Sequence, residues 1–109
     1  MEHVMYVQRV KEEKKDQYIK DHKECWPELL KAIKASEIER NIIWLYENDI
    51  LIYAVSKNFD ESMRILSEKQ IFKDWSKKME LLLEVMYDFL KGVKVQKLEK
   101  IFDLEGQIK

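Results

Sequence analysis

Proline occurs once in this chain, at Pro27, and glycine twice, at Gly92 and Gly106. So few backbone breakers leave no room for a phosphate-cradling glycine loop, a dinucleotide-binding fingerprint or a flexible interdomain linker. A single cysteine, Cys25, excludes an intrachain disulfide framework and suits a reducing compartment. It reads as a small apolar side chain rather than a nucleophile. Histidine is almost as scarce: His3 lies at a chain end and receives no role, which leaves His22. No stretch approaches the roughly 18 consecutive apolar residues that a membrane span requires. The N-terminus runs directly into structure-forming sequence, with no apolar leader. An excess of one charge is also missing: 20 basic and 21 acidic side chains give a formal net charge of -1. That balance provides no long-range field to attract nucleic acid or an anionic membrane. No internal repeat at a solenoid period is present. These absences describe a cytoplasmic chain folded as a single domain over residues 1–109, long enough to bury a core without staples.

What is present centres on the stretch from Tyr18 to Ile33. Tyr18, His22, Trp26, Leu29 and Ile33 recur at three- and four-residue intervals, the spacing that lines one helical face. Two members of that face carry titratable tips. Tyr18 and His22 are four residues apart, so phenol and imidazole stand one above the other and point to the same interior. Pro27 lacks a backbone donor and clashes with the carbonyl four residues back, so the helix breaks there and restarts with Pro27 in its first turn. A histidine on an apolar face is more often a satisfied core residue than a catalyst; its aromatic escort and the adjacent break argue for the second role.

Around this helix the pattern alternates. His3 to Val10 reads as a strand with Val4, Tyr6 and Val10 on one face, Met5 and Val7 on the other, and the polar Gln8 among the first set. Arg40 to Glu47 and Ile50 to Ser56 read as an antiparallel hairpin turning at Asn48-Asp49. Asn58 or Asp60 caps a helix running from Glu61 to about Lys69. A further helix is expected from Ile71 to Leu90, with Trp75, Met79, Leu82, Leu83 and Met86 facing inward and Gly92 ending it. A last strand is expected from Val95 to Leu104. The order is β-α-β-β-α-β, the split pattern of the ferredoxin-like α+β sandwich: one four-stranded antiparallel sheet with helices on one face. The strand from Ile50 to Val55 is apolar on both faces, whereas helices cover only one. The uncovered face predicts a homodimer packed sheet against sheet.

Little catalytic chemistry is open to these residues. His22 and Cys25 are three apart, but no further ligand at metal-binding spacing accompanies them, so no metal is expected. The aliphatic strands and balanced charge do not suit nucleic acid. There remains a pocket between the first helix and the sheet, lined by Tyr18, His22, Trp26, Trp75 and Trp44. Aromatic rings beside a few polar groups suit a monosaccharide, whose ring faces are apolar and whose rim is hydroxyl. An imidazole titrates near neutrality and serves as both acid and base.

The run Tyr18-x-x-x-His22, followed by Trp26-Pro27-Glu28-Leu29, resembles the signature of the L-rhamnose mutarotase family. Ile42-Ile43-Trp44-Leu45, the hairpin to Ile50-Leu51-Ile52-Tyr53, and Trp75 with Met79 agree with it along essentially the whole chain. The resemblance implies a dimeric, cofactor-free enzyme that interconverts the anomers of a deoxy-sugar, L-rhamnose or L-fucose. It also implies His22 as the acid/base, Tyr18 in contact with substrate and Trp75 in an aromatic wall. The chain departs from the family at three places. Ser76 follows Trp75 where a second tryptophan is usual. Asn41 or Ile42 stands where a substrate-contacting tyrosine begins the second strand. A glycine expected before that strand is absent near Glu37. Ser76 and Asn41 are therefore candidate substrate contacts alongside Trp26. The rival expectation is a non-catalytic binding or structural dimer that kept the fold and lost the chemistry.

Overall fold

In the computed structural model, residues 1–85 and 97–108 are described. The chain forms β1 (Glu2–Val10), α1 (Lys15–Lys23), α2 (Pro27–Ala35), β2 (Ile38–Tyr46), β3 (Asp49–Ser56), α3 (Phe59–Ser67), α4 (Gln70–Glu80), β4 (Leu83–Val85) and a short α5 (Leu104–Gln107). The four strands make one antiparallel sheet in the order β2-β3-β1-β4. This is the ferredoxin-like arrangement expected from the alternation of elements.

Strand periodicity sets the two faces. In β1 the buried positions are Val4, Tyr6, Gln8 and Val10. They register beside Ile50, Ile52 and Ala54 of β3, and Ile43 and Leu45 of β2 fall on the same face. That face carries the core, where Val10, Leu29, Ile50 and Phe59 are almost fully enclosed. Burying such side chains contributes about 1.5–3 kcal/mol each. The other face holds Val7, Ile42, Trp44, Leu51 and Tyr53.

The helical restart falls where the proline requires it. Trp26 is the N-cap of α2, Pro27 occupies its first turn, and the Trp26 carbonyl accepts from the Leu29 and Leu30 amides. At the other end the Ser36 hydroxyl donates to the Ala32 and Ile33 carbonyls. Glu37 then reverses the chain in the left-handed region, at φ 67°. Asn58 is the cap of α3, accepting from the Glu61 amide at 3.1 Å. The hairpin turns at Glu47-Asn48, one residue earlier than expected, with Glu47 at φ 56°.

Two expectations fail in the C-terminal third. The helix expected through Leu90 ends at Glu80, and Leu83–Val85 is instead the fourth strand. Leu81-Leu82-Leu83 is a continuous apolar run that fits a helix stripe and a buried strand equally well. The open edge of β1 decides between them: Val10 pairs with Leu83, and the Lys11 amide donates to the Leu82 carbonyl at 2.9 Å. The last strand expected to Leu104 is likewise replaced. Lys97 makes an isolated bridge to Tyr6 and the Leu98 amide donates to the Met5 carbonyl at 2.7 Å. Beyond that point Ile101, Phe102 and Leu104 are exposed, and Asp103 caps α5. Met86, Gly92 and Val95 lie outside the described residues.

Candidate active site between α1, α4 and the sheet

The helical spacing of Tyr18 and His22 places both side chains over the core face of the sheet. Their ring centroids lie 4.1 Å apart with the planes inclined at 33°. The Nδ1 of His22 lies 2.8 Å from the Tyr18 carbonyl oxygen. A carbonyl can only accept, so Nδ1 carries the proton, and in the neutral ring Nε2 holds the lone pair. Local helix geometry thereby selects the tautomer, since side chain and carbonyl are four residues apart.

A cavity of about 130 Å³ opens beside these rings. Tyr6 and Gln8 of β1, Asn41 and Ile43 of β2, and Trp75 and Ser76 of α4 share its lining with Tyr18 and His22. Two shallower grooves adjoin it, and His22 borders all three spaces. The walls are mostly apolar and the polar groups few, the composition typical of a small-molecule site.

The aromatic wall is built edge to face. Trp75 meets His22 at 5.2 Å and 78°, and Trp26 meets Trp75 at 5.1 Å and 82°. Such contacts set the positive ring edge against the negative face of the next ring. Trp26 thus stands behind Trp75 instead of lining the cavity. Trp44 is not in the pocket at all: it pairs with Leu51 on the opposite sheet face and is half exposed. Strand alternation places it there, because its neighbours Ile43 and Leu45 point to the core.

Burial governs the titration of the site. It pushes the His22 imidazole below its ordinary range, against the opposing pull of the Tyr18 carbonyl and the Asp21 carboxylate. It also raises the Tyr18 phenol well above the usual tyrosine range, helped by the neighbouring Tyr6 hydroxyl. Tyr18 is therefore a neutral O–H group at any physiological pH. The Cys25 thiol is likewise raised by burial, the opposite of what a nucleophilic thiolate needs. Among the described residues no three His, Cys, Asp or Glu side chains gather as a metal site.

Of the residues singled out from the sequence, Tyr18, His22, Asn41, Trp75 and Ser76 come together on the cavity wall. Asn41 stands at its mouth, in register with Ala54. Tyr6 and Gln8 were missed as site residues. A signal for Gln8 existed, since it is a polar residue on the apolar face of β1, and only 7% of it is exposed.

Comparison with known proteins bears on the fold and the family. The chain superimposes on the crystal structure of an L-rhamnose mutarotase from Formosa agariphila with a TM-score of 0.75, covering 95% of this chain and 99% of that one at 18% identity. At that identity the likeness speaks for the fold. No curated protein matches the chain. A family model described as L-rhamnose mutarotase matches residues 3–104. With nearly its whole length matched, the chain belongs to the L-rhamnose mutarotase family.

Proposed function

We propose that this protein is a cofactor-independent sugar mutarotase that interconverts the α and β anomers of a deoxy-hexose of the L-rhamnose or L-fucose type. The observation that carries the proposal is the tautomer of His22. Its Nδ1 is held by the Tyr18 carbonyl, so Nε2 is the nitrogen that exchanges a proton at the cavity. Burial keeps the ring neutral near pH 7, ready to act first as a base.

In the mechanism, Nε2 takes the proton of the anomeric hydroxyl and, as imidazolium, delivers it to the ring oxygen as the bond from the anomeric carbon to that oxygen breaks. The open-chain aldehyde turns about its first carbon–carbon bond. The freed hydroxyl then attacks the other face of the carbonyl, and the proton transfers reverse. No net proton or electron is consumed. Tyr18, held protonated by burial, orients a sugar hydroxyl, and Trp75 offers an apolar wall to the ring. Asn41 and Ser76 supply hydrogen-bonding groups where the family's tyrosine and second tryptophan would stand.

The same reading includes a homodimer formed through the helix-free face. That face leaves Val7, Trp44 and Tyr46 between 41% and 69% exposed around Leu51 and Tyr53, a patch that a second copy would cover. A cytoplasmic location is part of the proposal; no helix among the described residues is long and apolar enough to cross a membrane. Saturation-transfer NMR on L-rhamnose and L-fucose tests the activity directly. Exchange between anomer signals well above the uncatalysed rate supports it, and no acceleration for either sugar or for a wider hexose panel removes it.

A further inference from the structure

We propose that Asp21 and Lys78 form a positioning pair that fixes α4, and with it the Trp75 wall, against the His22 face of α1. Asp21 lies one residue before His22 and is only 8% exposed. Its Oδ1 accepts from the Gln17 side-chain amide at 2.7 Å and lies 3.3 Å from the Lys78 Nζ. Its Oδ2 is buried with no hydrogen-bond partner. A carboxylate buried with one oxygen unpaired is costly unless a counter-charge is held nearby, which distinguishes this pair from a solvated surface bridge.

The same ammonium reaches the aromatic wall. Lys78 Nζ sits 5.5 Å from the ring centroid of Trp26, within cation–π range. Trp26 backs Trp75, and Trp75 backs His22. Lys78 follows Trp75 by three residues, so the two share one side of α4. Anchoring Lys78 to Asp21 therefore restrains rotation of α4 about its own axis, the motion that would carry the Trp75 indole away from the imidazole. Neither side chain lines the cavity, and the pair acts on substrate only through the rings it holds.

Asp21 also acts on His22 electrically, its carboxylate favouring imidazolium. Among the described residues, the other titratable or charged side chains that share a cavity or groove wall with His22 are Tyr18 and Lys23 on α1, Cys25 in the connection to α2, Lys34 of α2, Tyr6 of β1 and Glu39 of β2. Asp21→Asn removes the carboxylate that favours imidazolium, so the imidazole titrates lower. In Lys78→Met the Asp21 charge is left uncompensated, which favours imidazolium.

The test uses the intact protein without sugar first. NMR titration of the His22 ring, with His3 as the internal reference, should show its pKa moving down in Asp21→Asn and up in Lys78→Met. Lys78→Arg, which keeps both the ion pair and the cation over Trp26, should titrate like the wild type. In the anomer-exchange assay, where this inference rests on the mutarotase reading, Lys78→Met should lose about tenfold in kcat with a smaller change in KM, and Lys78→Arg should restore it. If Asp21→Asn does not fold, the two Lys78 variants carry the test. Shifts of the same sign, no shift, or a Lys78→Arg protein as impaired as Lys78→Met overturns the proposal. A wild-type protein without exchange activity would overturn the mutarotase reading instead, and the sugar-free titration would still decide the pair.

Discussion

The imidazole of His22 is pinned by the carbonyl of Tyr18, 2.8 Å from Nδ1, while the two rings overlap at 4.1 Å. One helical turn thus settles the tautomer of the proposed base and its orientation. In a catalytic dyad the partner is usually a carboxylate, which also stabilises imidazolium. A backbone carbonyl orients the ring and favours the cation less, and burial keeps the resting ring neutral.

His22→Ala should lower catalysed anomer exchange by about 10²–10⁴-fold, the range for one positioned acid/base group. The protein should still fold, because the ring is only half-buried. Exchange rate and melting temperature measured on the same sample check both statements. A folded variant with wild-type exchange would sink the catalytic role.

Tyr18→Phe should be milder than His22→Ala in the exchange assay, since it removes one hydroxyl and keeps the stacked ring. Tyr18→Ala should instead destabilise by about 3–5 kcal/mol, because the side chain is almost fully buried in the core. Urea titrations of the two variants separate the contact with substrate from the packing.

Stability should depend on pH through His22. Its folded pKa lies below the unfolded one, so the unfolded chain binds more protons between the two values. The contribution is complete above the ordinary imidazole pKa and is lost as pH falls through it toward the folded value. Urea midpoints compared between about pH 7.5 and about pH 5 should fall in the wild type and fall less in His22→Gln. Exchange should also decline over this acid range as the base is protonated.

Glu37→Gly should stabilise the protein by about 0.5–1 kcal/mol. Glu37 is exposed and holds φ 67° at the end of α2, a conformation that costs a side chain and suits glycine. Part of the gain is offset by the greater freedom of glycine in the unfolded chain. A lower urea midpoint would show that the glutamate makes a compensating contact.

Leu51→Asp should dissociate or unfold the proposed dimer, because a charge would be buried on the sheet face shared by Trp44 and Val7. Sedimentation of wild type and variant at micromolar concentration decides. A wild type that sediments as a 13.3 kDa monomer removes the dimer from the reading.

The sequence by itself determined the elements whose pattern is local. Alternation in β1, the break at Pro27, a cap at Asn58 or Asp60 and the pairing of Tyr18 with His22 follow from dihedral preference and periodicity, which act over a few residues. The left-handed turn was visible only as a missing glycine at Glu37. Tertiary structure decided the rest. Leu83–Val85 became a strand because the free edge of β1 needed hydrogen-bond partners, a demand that no local window contains. Trp75 and Trp44 are equally apolar on paper. One borders the cavity and the other faces away because helix rotation and strand register, not composition, assign a side chain to a face. No local pattern separates Asp21 from a charge on a solvated helix face; the packing of α4 buries it, because desolvation is a property of the neighbours and not of the residue.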